Sequence, residues 1–145
     1  MSKAFGLAGC RVGYGVAQKE VIDALGLTKL VYNMNILSQN AALAAMDYAD
    51  DILAHNIPPT LAARQHFMDA LKDVPNLTVY PSATNFVLVR VPDGPAMVKT
   101  LHDADICVRS YKAADLKNCL RITITTDDVV RRVVAVMTEE AKKYA

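Results

Sequence analysis

A lysine and an arginine lie eight positions apart in the glycine-rich stretch SKAFGLAGCRVGYG near the start of the sequence. A lysine amine attacks an aldehyde only when it is neutral, which desolvation or a nearby positive charge favours. Arg11 would supply such a charge to Lys3 and would also suit a phosphate, with the hydroxyl of Ser2 beside it. The glycines let backbone amides approach a bound group closely. The residues alone leave open whether Lys3 is a nucleophile or an ordinary residue at a frayed chain end.

Two further arginines fall on predicted strands in the second half of the sequence. Arg121 alternates with aliphatic residues in LRITIT and is flanked by small side chains, and Arg109 lies in ICVRSY. A guanidinium held on a rigid strand suits bidentate binding of a carboxylate or phosphate. Ordinary solvated strand residues would show the same alternation, so both interpretations stand at this point.

Other site patterns are missing from the sequence. Neither a G-x-x-x-x-G-K-[ST] phosphate loop nor a dinucleotide fingerprint occurs. The three histidines have no helical ligand spacing, and the three cysteines are scattered, so we expect no metal site and reduced thiols.

The composition and the net charge limit the kinds of partner that the protein can have. The 145 residues are 52% hydrophobic and carry a net charge of +1, with acidic and basic residues mixed along the chain. We therefore expect neither nucleic acid nor a membrane as a partner. No apolar run of about 18 residues and no secretory signal pattern occurs, so we expect a cytoplasmic protein.

The elements that would hold Lys3 and Arg11 are poorly specified. Residues 10–17 predict a strand, and residues 19–25 a short helix that ends at Gly26. KLVYNMNILS is typical of an extended connector. Ser38 is predicted to cap the next helix, which Pro58 and Pro59 should end, because proline lacks a donor and restricts the residue before it. Thr60 would cap the helix after that.

The second half has a clearer pattern. NFVLVRV and LRITIT alternate with period two, which predicts strands with one buried face. A helix is predicted over 95–103 and a further strand at ICVRSY. Thr125 and Asp128 have the spacing of a capping box for a last helix. From Asn85 onward the order is strand, helix, strand, strand, helix, which predicts an α+β fold with helices on one face of a sheet.

Five separated segments resemble one known family: SKAFGLAGCRVGYG, YNMNILSQNAALAA, YPSATNFVLVRVP, ICVRSY and CLRITI. They are similar to fold-type I aminotransferases that use pyridoxal 5′-phosphate, and most similar to the histidinol-phosphate aminotransferase branch. The resemblance extends over essentially the whole chain. It implies residues 1–35 as a remnant of the cofactor-binding α/β large domain with a connector, and residues 36–145 as the small C-terminal domain.

The resemblance also implies roles for the candidate residues. Lys3 matches the lysine that bonds to the cofactor aldehyde and later moves a proton between the substrate and the cofactor. Ser2 and Arg11 match ligands of the cofactor phosphate. Arg121 matches an arginine that binds the acidic group of the substrate, and Arg109 one that helps to recognise a substrate phosphate across a dimer interface.

The same resemblance predicts what this chain does alone. The family's stacking ring, its pyridine-nitrogen aspartate and its phenolic-oxygen tyrosine precede the lysine, so we expect the C-terminal portion of an enzyme, without bound cofactor and inactive by itself. The resemblance implies small-molecule substrates, with transfer of an amino group between glutamate or 2-oxoglutarate and histidinol phosphate or a similar substrate. Relatives that act on aromatic amino acids or decarboxylate threonine phosphate share these motifs.

The other hypothesis is a catalytically silent domain. Such a domain would associate through its exposed large-domain remnant, as a homodimer or a higher assembly. A glycine is usual in the family where this chain has Thr125.

Overall fold

The computed structural model describes residues 1–144, and the chain divides into two compact units. The first unit is Met1–Ile57 and the second begins at Pro58. The predicted domain boundary at residue 35 refers to the family's domains and stays a prediction. None of the helices in the described range is long and apolar enough to cross a membrane.

The first unit consists of turns followed by helices. Turns occupy most of the first eleven residues, and the helices are α1 (Lys19–Thr28), α2 (Ile36–Asp47) and the start of α3 (Ala49–Leu71). The predicted strand over 10–17 is wrong. Residues 12–18 have no regular structure, because no neighbouring strand in the described part of the chain pairs with them.

Two helix boundaries in this unit differ from the prediction. Helix α1 continues through Gly26 to Thr28, whose hydroxyl donates to the carbonyl of Leu25 at 3.0 Å. Helix α2 is capped by Asn35, whose Oδ1 accepts from the backbone N–H of Ser38 at 2.8 Å. Ser38 is therefore the third residue of the helix and not its cap. An asparagine cap satisfies an early helical N–H as well as serine does.

Helix α3 runs through both prolines that were expected to end it. A proline ring fixes φ near the helical value, so the backbone can continue while the hydrogen bonds that Pro58 and Pro59 would donate are lost. The predicted cap at Thr60 is wrong for the same reason, because Thr60 lies inside this helix. The side chains of Ala63, Phe67 and Leu71 are buried, as the sequence predicts.

The second unit holds a four-stranded antiparallel sheet of β1 (Thr78–Val79), β2 (Phe86–Arg90), β3 (Arg109–Ser110) and β4 (Cys119–Thr123), in the order β1-β2-β4-β3. Helix α4 (Gly94–Asp103) connects β2 to β3, a 3-10 turn (Ala114–Leu116) precedes β4, and α5 (Asp127–Lys142) follows it. The predicted order of elements is confirmed. The strand predicted at ICVRSY is present but is only two residues long.

One face of this sheet forms the core. The alternate residues of β2 and β4 that were expected to be buried are so, and they pack with residues of α3, α4 and α5. The most deeply buried side chains are Phe67, Leu71, Val87, Val89, Met97, Leu101, Leu120 and Met137. Arg121 and Thr123 lie on the opposite face, which is where the alternation places them.

The last helix begins one residue later than predicted. Thr126, and not Thr125, is its cap residue, with extended backbone angles. The resemblance predicts a glycine at the position of Thr125. Thr125 is not among the residues with positive φ, so this turn does not need the conformational freedom of glycine.

Candidate active site

The segment around Lys3 is shaped by a tight turn. The backbone N–H of Gly6 donates to the carbonyl of Lys3 at 3.1 Å, and Gly6 has a φ of 68°, which favours glycine. The side-chain amide of Asn56 donates to the carbonyl of Ala4 at 3.1 Å and so joins this segment to α3. The side chain of Lys3 is exposed and that of Ser2 is half-buried. The turn therefore presents both functional groups without burying either.

Arg11 ends a second turn in the same unit. Its backbone N–H donates to the carbonyl of Ala8 at 3.4 Å, and its own Nη1 donates to that carbonyl at 3.1 Å. Its φ of 53° is left-handed, which is uncommon for a residue other than glycine and costs energy. The guanidinium is exposed and has other donors to offer an anion.

This donor set fits two ends of pyridoxal phosphate. A primary amine can bond to an aldehyde once it is neutral, while a hydroxyl and a guanidinium suit a phosphate dianion. The amine, the hydroxyl and the guanidinium all lie in one turn-rich segment, on Lys3, Ser2 and Arg11.

An apolar groove opens in the first unit close to this segment, and sequence reasoning missed it. Its volume is about 380 Å³. The groove is lined by Met1, Val12, Tyr14, Met34, Leu43 and Met46, with Gly13, Gln39 and Ala42. Tyr14 and Leu43 are 73% and 65% exposed, which is unusual for such large apolar side chains.

The second unit places Arg121 on the outward face of its sheet. Leu88 lies directly opposite Arg121 on the β2–β4 pair. The Cζ atom of Arg121 lies over the ring of Phe86, 5.2 Å from its centroid. Its Nε is buried and has no hydrogen-bond partner among the described residues. Phe86 lies in the segment NFVLVRV, and no local pattern in the sequence indicates that it is a neighbour of Arg121.

Arg109 lies directly opposite Arg121 on the β3–β4 pair, so the structure brings these two predicted site residues together. Directly opposed residues of an antiparallel pair project from the same face. Within residues 1–144 neither guanidinium forms an ion pair with a carboxylate. Two adjacent cations without a described counterion favour binding of an anion.

Arg90, on the same strand as Phe86, differs from Arg109 and Arg121 because its donors have partners within the second unit. Its Nε donates to the hydroxyl of Tyr80 at 3.1 Å and its Nη2 to the carbonyl of Asp115 at 3.2 Å. This hydrogen bond, which Arg90 donates to the Tyr80 hydroxyl, raises the pKa of Arg90. Its donors are used within the unit, so Arg90 is a structural residue.

Comparison with known proteins shows the family of the chain. The pattern of the family described as aminotransferase class I and II matches residues 1–137. The chain is 41% identical over 127 residues to a histidinol-phosphate aminotransferase of Thermoanaerobacter sp. strain X514, which covers 87% of this chain and 36% of that protein. It is 38% identical over 128 residues to the histidinol-phosphate aminotransferase of Ruminiclostridium cellulolyticum, which covers 88% of this chain and 36% of that protein.

A solved structure is similar as well. The histidinol-phosphate aminotransferase of Sinorhizobium meliloti, in complex with pyridoxal-5′-phosphate, superposes with a TM-score of 0.71 at 30% identity, over 99% of this chain and 40% of that chain. The chain thus spans about a third of the length of the curated relatives it matches. With a family match over 137 of its 145 residues, the chain belongs to the class I and II aminotransferases.

Proposed function

We propose that this chain contributes to a pyridoxal-phosphate-dependent aminotransferase that transfers an amino group between glutamate and histidinol phosphate. The observation that carries the substrate assignment is the cross-strand pair of Arg109 and Arg121, two cations without an ion-pair partner in the described part of the chain. A phosphorylated substrate supplies the dianion that such a pair binds best. The named activity of both curated relatives supports the same assignment.

The proposal assigns Lys3, Ser2 and Arg11 to the cofactor. Pyridoxal phosphate supplies an aldehyde that bonds to amines and a ring that accepts an electron pair from the substrate Cα. The amine of Lys3 holds the aldehyde end and afterwards carries the proton to and from the substrate Cα. The hydroxyl of Ser2 and the guanidinium of Arg11 donate hydrogen bonds to the phosphate and fix its position.

The proposal assigns Arg121 and Arg109 to the substrate. A planar guanidinium binds a carboxylate or a phosphate through two parallel hydrogen bonds, which fixes the distance and the direction of the bound group. Arg121 binds the acidic group, and Arg109 adds recognition of a phosphate.

A labelling experiment tests the role of Lys3. The purified chain is mixed with pyridoxal phosphate, the amine–aldehyde adduct is reduced to a secondary amine with borohydride, and peptide mapping locates the added mass. We expect Lys3 to be labelled in preference to Lys19 and Lys29 of the same unit, and Arg11→Gln to reduce that preference. Equal labelling of the three lysines would show that Lys3 is an ordinary amine here.

The substrate is tested in a full-length enzyme that carries this sequence. Transamination of histidinol phosphate is compared with that of aromatic amino acids and with decarboxylation of threonine phosphate. We expect Arg109→Ala to lower kcat/KM for the phosphorylated substrates most, and Lys3→Ala to abolish transamination. Full transamination by Lys3→Ala would contradict the assignment.

The exposed apolar surface of the first unit supports a second candidate, an associating domain without catalysis. Of the large hydrophobic side chains that are exposed, most lie in Met1–Ile57, and Tyr32 is 96% exposed. Such a surface favours pairing with another polypeptide. Sedimentation of the chain over a concentration series tests this candidate, and a strict monomer at every concentration would exclude self-association.

A further inference from the structure

The contact between Phe86 and Arg121 constrains how the arginine can be used. The Cζ atom of Arg121 lies 5.2 Å from the ring centroid, within the range in which a cation is attracted to an aromatic face. Phe86 lies opposite Thr123, two residues beyond Arg121 on β4, so the two side chains are diagonal neighbours on the outward face. Both are half-buried, which strengthens the attraction because less water competes for the cation.

The ring is the sole described partner of this guanidinium. Arg121 forms no hydrogen bond or ion pair with the residues the structure describes, and its Nε is buried without an acceptor. A buried N–H that faces protein cannot be reached by a ligand from solvent. An anion that approaches Arg121 therefore meets the two terminal nitrogens.

Phe86 itself is held in place. Its backbone carbonyl accepts from the hydroxyls of Ser82, at 2.5 Å, and Thr84, at 3.1 Å. Its N–H donates to the Thr84 hydroxyl at 3.3 Å. The strand begins at Phe86, so these two hydroxyls fix the end of β2 and with it the position of the ring.

From these contacts we propose that Phe86 is a positioning residue for Arg121. The ring fixes the plane of the guanidinium and leaves its two terminal nitrogens, and not Nε, as the edge that binds the anionic group of the substrate. The inference rests on the anion-binding role proposed above for Arg121. Its physical basis is preorganisation, because a long arginine side chain that is already ordered loses less freedom when the anion binds.

The test is a titration of the full chain with inorganic phosphate, followed by NMR of the labelled arginine side chains. In the wild-type chain we expect saturable shifts of the terminal nitrogens of Arg121 that exceed the shift of its Nε. We expect Phe86→Leu to weaken phosphate binding about three- to tenfold, since that is the range of a partly desolvated cation–π contact. Phe86→Tyr, which retains the ring, should bind within about twofold of wild type.

A destabilised control separates positioning from folding. Val134 of α5 is partly buried against the core and lies in a different element from Arg121, so Val134→Ala should lower stability without changing phosphate affinity. Thermal unfolding of each variant gives the stability against which its affinity is compared. A Phe86→Leu chain that binds phosphate as tightly as wild type would overturn the positioning role alone.

Two other outcomes are also decisive. A larger shift at Nε than at the terminal nitrogens of Arg121 would overturn the binding edge assigned here, even if a variant failed to fold. No saturable shift at Arg121 in the wild-type chain would overturn the proposed anion-binding role of Arg121, and the positioning role with it. Arg121→Gln, which removes the cation, identifies any phosphate signal that arises elsewhere.

Discussion

Arg109 and Arg121 face each other across β3 and β4, where two like charges lie on directly opposed positions of an antiparallel pair. Such a pair destabilises a sheet unless an anion binds between the charges. β3 is only two residues long, so few hydrogen bonds compensate for the repulsion. The pair is therefore expected to cost the free chain stability and to favour a dianionic ligand.

Removal of one of these charges should stabilise the free chain. We expect Arg109→Gln to raise the free energy of unfolding by about 0.2–1 kcal/mol at low salt, because the cross-strand repulsion disappears. The gain should shrink as salt screens the charges. Urea unfolding at two ionic strengths measures both effects.

The control for this prediction is Lys112→Gln, which removes an exposed positive charge three residues away from Arg109. It should leave the free energy of unfolding nearly unchanged. Inorganic phosphate should stabilise the wild-type chain more than Arg109→Gln. Equal stabilisation of the two by phosphate would count against the arginine pair as its site.

Gly94 should not tolerate a side chain. A Cβ at this position would lie 2.9 Å from the Cα of Asn118, whose own φ of 66° is left-handed. The amide of Asn118 also accepts from the Gly94 N–H at 3.0 Å and donates to the carbonyl of Pro92 at 3.0 Å, so the neighbour cannot move freely. We expect Gly94→Ala to lower the free energy of unfolding by about 1–3 kcal/mol, in the range of overpacked sites.

The matched control is a glycine with open space around it. A Cβ at Gly26 in the exposed helix α1 would meet no heavy atom within 4 Å, so Gly26→Ala should be neutral or stabilising by up to about 1 kcal/mol. Denaturant unfolding compares the two variants. Equal effects of both would show that crowding at Asn118 does not decide the result.

The fold of the second unit was predictable because its strands have one buried face. Residues Val87 and Val89 alternate with half-buried neighbours, and period-two burial leaves a clear pattern in the sequence. The helix boundaries in the first unit were not predictable. Asn35 and Ser38 are both good caps, and the helix through Pro58 shows that a local breaker can be overridden by the helical residues on both sides.

The candidate site was likewise predictable only in part. The alternation in LRITIT placed Arg121 on the outward face, and the structure agrees. Its contact with Phe86 depends on the register of β2 against β4, which pairs Phe86 with the distant residue Thr123. The link between Asn56 and Ala4 likewise joins distant positions. No local pattern encodes such contacts.

Glu140 is a buried charge whose partners should matter to stability. It is only 4% exposed, and its carboxylate accepts from the hydroxyl of Thr100 at 2.8 Å and from the ammonium of Lys143 at 2.6 Å. Hydrogen bonds from Lys143 and Thr100 lower the pKa of Glu140. We expect Thr100→Val to cost about 1–3 kcal/mol in the free energy of unfolding, because a buried carboxylate loses a donor.

Thr100→Ser is the control, since it retains the hydroxyl and should recover most of the stability that Thr100→Val loses. Chemical denaturation at neutral pH compares the three chains. If Thr100→Val were as stable as wild type, the hydrogen bond across α4 and α5 would contribute nothing measurable.

The start of α5 should make stability depend on pH. Asp127 Oδ1 lies 2.5 Å from Nδ1 of His66 on α3, and its Oδ2 accepts from Nε of Arg131 at 2.7 Å. The hydrogen bond from His66 and then that from Arg131 lower the pKa of Asp127 in the folded chain. A carboxyl with a lowered folded pKa stabilises the protein above its unfolded pKa of about 3.9, and this contribution is lost as pH falls through the folded pKa.

Asp127→Asn should therefore destabilise the chain at about pH 7, and the difference from wild type should shrink at pH values below about 4. Urea unfolding across this pH range measures the difference. Asp73→Asn, which removes an exposed carboxylate elsewhere on the second unit, is the control and should show a smaller change with pH. A difference for Asp127→Asn that stays constant from neutral to acid pH would mean that the ionised carboxylate is not what joins α3 to α5.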